Sequence, residues 1–207
     1  MRSDLYLRQK AWQYIIENRI QTLPVDVFGL ASKYVMLSYR HYSELTGKTM
    51  AYIIDRYDRD GFVFWSNRQQ NYIVCFNDAQ PAVTVRWTVM HEIAHITLGH
   101  VAPDASAHTR IRKKSHPYAE AEADGFARRV LCPSIVLHNC GALETPDIMA
   151  LCGISRTAAA YRSRYMKKLE LRNMWRTDPL EAKVEAQFNA FVKKYKSRAN
   201  HMQRLNA

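Results

Sequence analysis

Arg86-Trp87-Thr88-Val89-Met90-His91-Glu92-Ile93-Ala94-His95-Ile96-Thr97-Leu98-Gly99-His100 carries two histidines four residues apart in an apolar setting. The apolar spacing predicts a helix over 81–98, closed by Gly99, with an N-cap offered by Asn77-Asp78. On a helix, positions i and i+4 share a face, so His91 and His95 can reach one metal ion. Glu92 lies about 100° around from His91. It is off the ligand stripe but able to lean over an open coordination position and take a proton from an activated water. Ile93, Ala94, Ile96 and Leu98 make the helix too apolar for an ordinary surface. Isolated polar groups in such a setting are costly without partners.

A catalytic zinc commonly has three protein ligands and one open position. A third histidine six residues after the second is one arrangement, but that position is Val101. His100 falls just beyond the helix end, where it is either a ligand or, as suits the position better, a capping or loop residue. The other arrangement takes a glutamate from a later helix, expected over 118–131. Its apolar stripe is Ala123, Phe126, Ala127, Val130 and Leu131. Glu120 lies roughly 60° from the stripe centre and Glu122 roughly 100° away on the other flank. Glu120 also has Asp124 one turn on, where it can accept the free ring N–H of a ligand histidine and orient it. The expected set is therefore His91, His95 and Glu120 as ligands, Glu92 as base and Asp124 as orienting acid. Zinc fits two imidazoles and a carboxylate, and manganese remains open because ligand type alone does not fix the metal.

Outward from this helix, 5–20 and 23–34 read as amphipathic helices, the second with Pro24 in its first turn. The runs 35–39, 50–55, 61–66 and 72–76 read as strands, punctuated by Gly47-Lys48, Asp60-Gly61 and Asn67. The expected fold is α+β, a small, mostly antiparallel sheet packed on the His-Glu-x-x-His helix. A polar loop is expected over 103–117, suited to gating the site. Further helices are expected over 146–151, 155–169 and 178–195, with a frayed end. Two regions follow: 1–140 around the metal site and a helical 141–207.

The 207 residues are 47% apolar, enough to fill a core. No apolar run approaches the roughly 20 residues that span a bilayer. Cys75, Cys132, Cys140 and Cys152 form no Cys-x-x-Cys pair, which suits plain thiols in a reducing cytoplasm. The net charge of +11 is uneven: from Gly153 onward there are 13 Lys and Arg against 4 Asp and Glu. There, Leu151-Cys152-Gly153-Ile154-Ser155 sits between two short helices like a helix-turn-helix. The second helix carries Arg156, Arg162, Arg164, Lys167 and Lys168. Alone this suggests weak DNA contact. The alternative is a helical hairpin packed on Ala158, Ala159 and Tyr161. A DNA-binding regulator with a structural or sensory metal site is the rival reading of the whole chain. Glu92 argues against it, because a structural site has no use for a base there.

Taken together, the chain resembles the ImmA/IrrE-type metallopeptidases of bacteria and mobile elements over about 23–169. The resemblance rests on Tyr72-Ile73-Val74-Cys75-Phe76-Asn77-Asp78 and the 86–100 segment. It continues through Glu120-Ala121-Glu122-Ala123-Asp124-Gly125-Phe126-Ala127 and Leu131-Cys132-Pro133. It implies a gluzincin-like core, with histidine ligands at His91 and His95, a general base at Glu92 and a glutamate ligand at Glu120. The family often has methionine where Cys132 stands, a packing change. The resemblance also implies a zinc endopeptidase that cleaves a helix-turn-helix repressor encoded nearby.

Overall fold

The computed structural model describes residues 2–103 and 117–205. Its elements are α1 (Asp4–Glu17), α2 (Val27–Ala31), β1 (Val35–Ser38), α3 (Tyr39–Thr46), α4 (Met50–Arg56), β2 (Gly61–Ser66), β3 (Asn71–Phe76), α5 (Ala82–Thr97) and α6 (Pro117–Leu131). These are followed by α7 (Ser134–Cys140), α8 (Thr145–Cys152), α9 (Arg156–Leu171), α10 (Pro179–Gln187) and α11 (Asn189–Leu205). The chain is a mixed α+β protein, mostly helical. Backbone contacts divide it into two compact units. One is Met1–Ser3 with Asp26–Ala127, the other Asp4–Val25 with Arg128–Ala207. The expected gating loop at 103–117 lies almost wholly outside the described residues.

In the first unit, alternation along β2 and β3 builds a two-faced sheet. The strands pair antiparallel, Phe62 opposite Cys75, Val63 opposite Val74 and Phe64 opposite Ile73. Phe62, Phe64, Ile73 and Cys75 bury one face against Tyr39, Tyr42 and Ile53. Val63 and Val74 bury the other with Val101 and Ile96. The helix α5 packs against both strands, so the active segment lies on the sheet as expected.

The sheet differs from expectation in two respects. Its order is β1-β3-β2, and β1 pairs parallel with β3, Val35 opposite Ile73 and Ser38 opposite Phe76. A parallel pair needs a crossover, and α3 and α4 lie on the path between the strands. The run expected as a strand at 50–55 is α4. The Thr49 hydroxyl accepts from the Tyr52 N–H and starts a helix. Of its apolar residues only Ile53 is fully buried, while Tyr52 and Ile54 stay exposed. Ser38 caps α3 in the same way, and Gly47, at φ +66°, ends it. The second amphipathic stretch contracts to α2, because Asp26 caps it at the Gly29 N–H. Pro24 therefore precedes the helix instead of sitting in its first turn.

In the second unit, α1 packs against α10. Gln187 donates from its amide to the carbonyls of Ile15 and Ile20, and Gln9 donates to Asp178. The last expected helix is two, α10 and α11, and the second runs on to Leu205. The helix α7, not anticipated, starts just after Pro133 and stops at left-handed Gly141. The helices α8 and α9 are joined through Gly153, also left-handed, and Ser155 caps α9 at the Ala158 N–H. Arg162 of α9 does not belong to an exposed basic face. It is buried and donates to the Cys132 carbonyl and to Ser134 Oγ. Burial holds its pKa below the usual arginine range.

Candidate metal centre

Helix α5 is buried almost without interruption from Thr88 to Ala94 and His95. No side chain caps its first turn at Pro81, so the N-cap expected at Asn77-Asp78 is absent. The Asn77 side chain instead donates to the Arg59 carbonyl and accepts from the Ala79 N–H. The C-terminus is a full Schellman closure. Gly99, at φ +70°, lets the His100 N–H reach the His95 carbonyl at 2.8 Å and the Gly99 N–H reach that of Ile96 at 3.0 Å.

On this helix His91 is 8% exposed, Glu92 7% and His95 2%. Glu120, from the first turn of α6, completes a group whose ligand atoms all lie within 4.8 Å of one another. The Nε2 atoms of His91 and His95 are 3.0 Å apart. Glu120 Oε2 is 3.2 Å from His91 Nε2, and Oε1 is 3.4 Å from His95 Nε2. Ligand atoms at roughly 2.0–2.1 Å from a tetrahedral ion lie about 3.3 Å apart. The donor set therefore has the spacing of three corners around one such ion.

The protonation chemistry agrees with the spacing. Asp124 Oδ1 is 2.9 Å from His91 Nδ1, one turn along α6 from Glu120. That carboxylate accepts from the Nδ1 hydrogen, so a metal that displaces the second ring proton would meet the Nε2 lone pair facing Glu120 and His95. Burial disfavours a charged His91, but the hydrogen bonds to Asp124 and Glu120 outweigh it and push the pKa up to about 10. Glu92 and Asp124 add to the negative field. A cluster with this excess of acid attracts positive charge, a proton at the least, and a divalent cation satisfies it more fully.

His100 and Glu122 were not anticipated as a pair. His100 Nδ1 lies 3.1 Å from His95 Nδ1, and its Nε2 lies 3.1 Å from Glu122 Oε2. Glu122 is 5% exposed. Burial opposes its charge, yet the Arg2 backbone N–H and the His100 ring hold it below the ordinary carboxylate range. Burial likewise holds His100 below the usual histidine range against the pull of Glu122. The signal for this pair was the His95-x-x-x-Gly99-His100 spacing, because a left-handed glycine folds the next residue back over the helix end.

The group opens on a cleft of about 250 Å³, lined by Gly61, Phe62 and Val63 of β2 opposite His91, Glu92 and Glu120. Tyr118, in the first turn of α6, is exposed, and His116 lies outside the described residues. No described helix is long and apolar enough to cross a membrane.

No curated protein and no solved structure matches the chain. The profile of the IrrE N-terminal-like domain, a metallopeptidase family, matches residues 48–164. That stretch is more than half of the 207 residues and holds every member of the cluster except Arg2; the chain belongs to the IrrE N-terminal-like peptidase family.

Proposed function

We propose that the chain is a zinc-dependent endopeptidase with a gluzincin-like core that cuts a regulatory protein, a helix-turn-helix repressor encoded nearby, and so relieves repression. The observation that carries the catalytic part is the convergence of His91 Nε2, His95 Nε2 and the Glu120 carboxylate beside Glu92 at the floor of one cleft. His91, His95 and Glu120 would hold the metal. When bound, it supplies Lewis acidity at the scissile carbonyl and lowers the pKa of water. Zinc suits the donor set, and manganese is the alternative.

Glu92 takes a proton from the attacking water as its oxygen adds to the carbonyl carbon. It then delivers that proton to the amide nitrogen as the carbon–nitrogen bond breaks. β2 is an edge of the three-stranded sheet, and its first residues line the cleft. An extended peptide adds to that edge through main-chain hydrogen bonds, which bring the scissile bond over Glu92. Recognition by strand addition selects an exposed, unstructured segment, and so the cut falls outside a repressor's DNA-binding helices.

We assign catalysis to residues 1–140 and a supporting role to the basic helical 141–207, and we place the protein in the cytoplasm, which suits its four free cysteines. A weak DNA contact is a second reading of 141–207, in which α8 and α9 form a helix-turn-helix hairpin. It is favoured by Arg156, Tyr161, Arg164 and Lys168, which are exposed on α9. Gel shift on random duplex at physiological salt tests it.

The peptidase reading is tested with Glu92→Gln on the repressor of the neighbouring gene. The variant keeps metal and fold and loses at least roughly 10²-fold in rate. Cleavage at the wild-type rate would refute the mechanism. Comparable digestion of casein would refute the regulatory substrate and leave the peptidase intact.

A further inference from the structure

We propose that His100 and Glu122 are positioning residues that lock His95 into the tautomer presenting Nε2 to the metal. The inference rests on His91, His95 and Glu120 being the ligands.

The two ligand histidines need the same thing, a hydrogen on Nδ1 and a bare Nε2, and which nitrogen carries it is set by what the other nitrogen meets. His91 meets a carboxylate directly, Asp124 at 2.9 Å. His95 Nδ1 faces His100 Nδ1 at 3.1 Å. Two imidazole nitrogens in contact leave the donor undecided until the far side of the second ring is fixed. Glu122 fixes it. Its carboxylate only accepts, and Oε2 lies 3.1 Å from His100 Nε2. His100 therefore carries its hydrogen on Nε2. A neutral imidazole carries one ring hydrogen, so its Nδ1 is a bare acceptor. His95 Nδ1 must then donate, and the lone pair of His95 Nε2 is left toward His91 and Glu120.

The chain is anchored at its outer end. The Arg2 backbone N–H donates to Glu122 Oε1. The Arg2 guanidinium lies 3.5 Å from Oε2 and donates to the Leu98 carbonyl at 2.8 Å. At the inner end, the Schellman closure at Gly99 sets the His100 ring edge-on to that of His95, 5.1 Å centroid to centroid. Glu122 thus does for His95, through one intervening ring, what Asp124 does for His91 directly.

The test uses the full chain loaded with zinc, His100→Phe, which keeps a ring without nitrogens, and His100→Gln, whose amide again accepts from His95 and donates to Glu122. Nitrogen-15 spectra of the histidine rings in the wild-type protein should show His95 bound through Nε2 with a slowly exchanging Nδ1 hydrogen. Competition with a chromophoric chelator should show zinc affinity weakened roughly 10–100-fold in His100→Phe, with most of the loss recovered in His100→Gln. His95 bound through Nδ1 in the wild type would overturn the inference even if no variant folds. Unchanged affinity in folded His100→Phe would overturn it too, while the ligand assignment stands. A wild-type protein that takes up no zinc would overturn both.

Discussion

Replacing Gly61 with alanine probes how closely the sheet and the active helix must approach. Gly61 opens β2 under α5. A methyl placed there would lie 2.3 Å from Thr88 Cγ2, 2.9 Å from the Cys75 carbonyl oxygen and 3.7 Å from Glu92 Cγ. Carbon atoms rest at about 3.5–4.0 Å, so the first contact must open by more than about 1 Å. The carbonyl belongs to the central strand β3 and gives little, leaving Thr88 and the helix to move. Overpacking of this kind costs roughly 1–3 kcal/mol. With a urea slope of about 1–3 kcal/mol/M, the unfolding midpoint should fall by about 1 M.

Because Thr88 lies one turn before His91 and Glu92, the same shift moves the base relative to a peptide on the β2 edge. A misplacement of about 1 Å can cost roughly 10²-fold in rate. Thr88→Ala removes the offending methyl, so the double variant should recover part of the stability, with a coupling of roughly 0.5–3 kcal/mol. The Cys75 carbonyl contact remains, and recovery should be incomplete. Urea unfolding of the four proteins decides the matter. A Gly61→Ala midpoint equal to the wild type, or two costs that simply add, would show that the strand and helix are not in the close contact described.

Two further outcomes are expected. Glu120→Gln should lose stoichiometric metal while Glu122→Gln retains it at weakened affinity. Metal analysis after gel filtration checks this, and full metal in Glu120→Gln would assign the ligand to the wrong acid. Stability should also fall in alkali. Burial, then the neighbouring Tyr72, pushes the Tyr34 phenol up to about 12, and burial, then Asp58, drives Tyr39 further up. Both hold their proton more tightly folded than unfolded, so their contribution is complete below the ordinary value of about 10 and is lost as pH rises beyond it. Urea midpoints should stay level to about pH 10 and drop toward pH 12, less steeply in Tyr34→Phe; midpoints that hold level through that range would contradict the burial of both phenols.

What could be read in advance followed from local geometry. His91 and His95 share one face of α5 with Glu92 beside it, and Glu120 and Asp124, four residues apart, share one face of α6, so spacing alone placed them. β2 and β3 were legible because their apolar residues alternate between two buried faces. The run 50–55 misled because Met50, Tyr52, Ile53 and Ile54 have strand-like composition. A threonine cap is worth only about 1 kcal/mol, but it nucleates the turn on which α4 is built. Once 50–55 is a helix, β1 must return through a crossover, and the parallel pairing with β3 follows. The short α7 escaped because both its ends are set by backbone, Pro133 before it and Gly141 after it, with no apolar repeat long enough to declare a period.

The part of the site that spacing could not give is the link from His95 outward. His100 is five positions on from His95, a step that on a continuous helix would carry the second ring well off the face of the first. Only the left-handed turn at Gly99 brings it back, and that turn is a property of the helix end and not of the helix. Glu122 is equally hidden, since by angle it sits on the opposite flank of α6 from Glu120. The two flanks of α6 nevertheless both reach the histidine cluster. Glu120 and Asp124 face His91 at 3.2 and 2.9 Å, while Glu122 faces His100 at 3.1 Å. Glu120 and Glu122 are thus not rivals for one role. One approaches the His91 and His95 rings with its oxygens and the other meets His100 behind them, so a single turn of α6 supplies both acids.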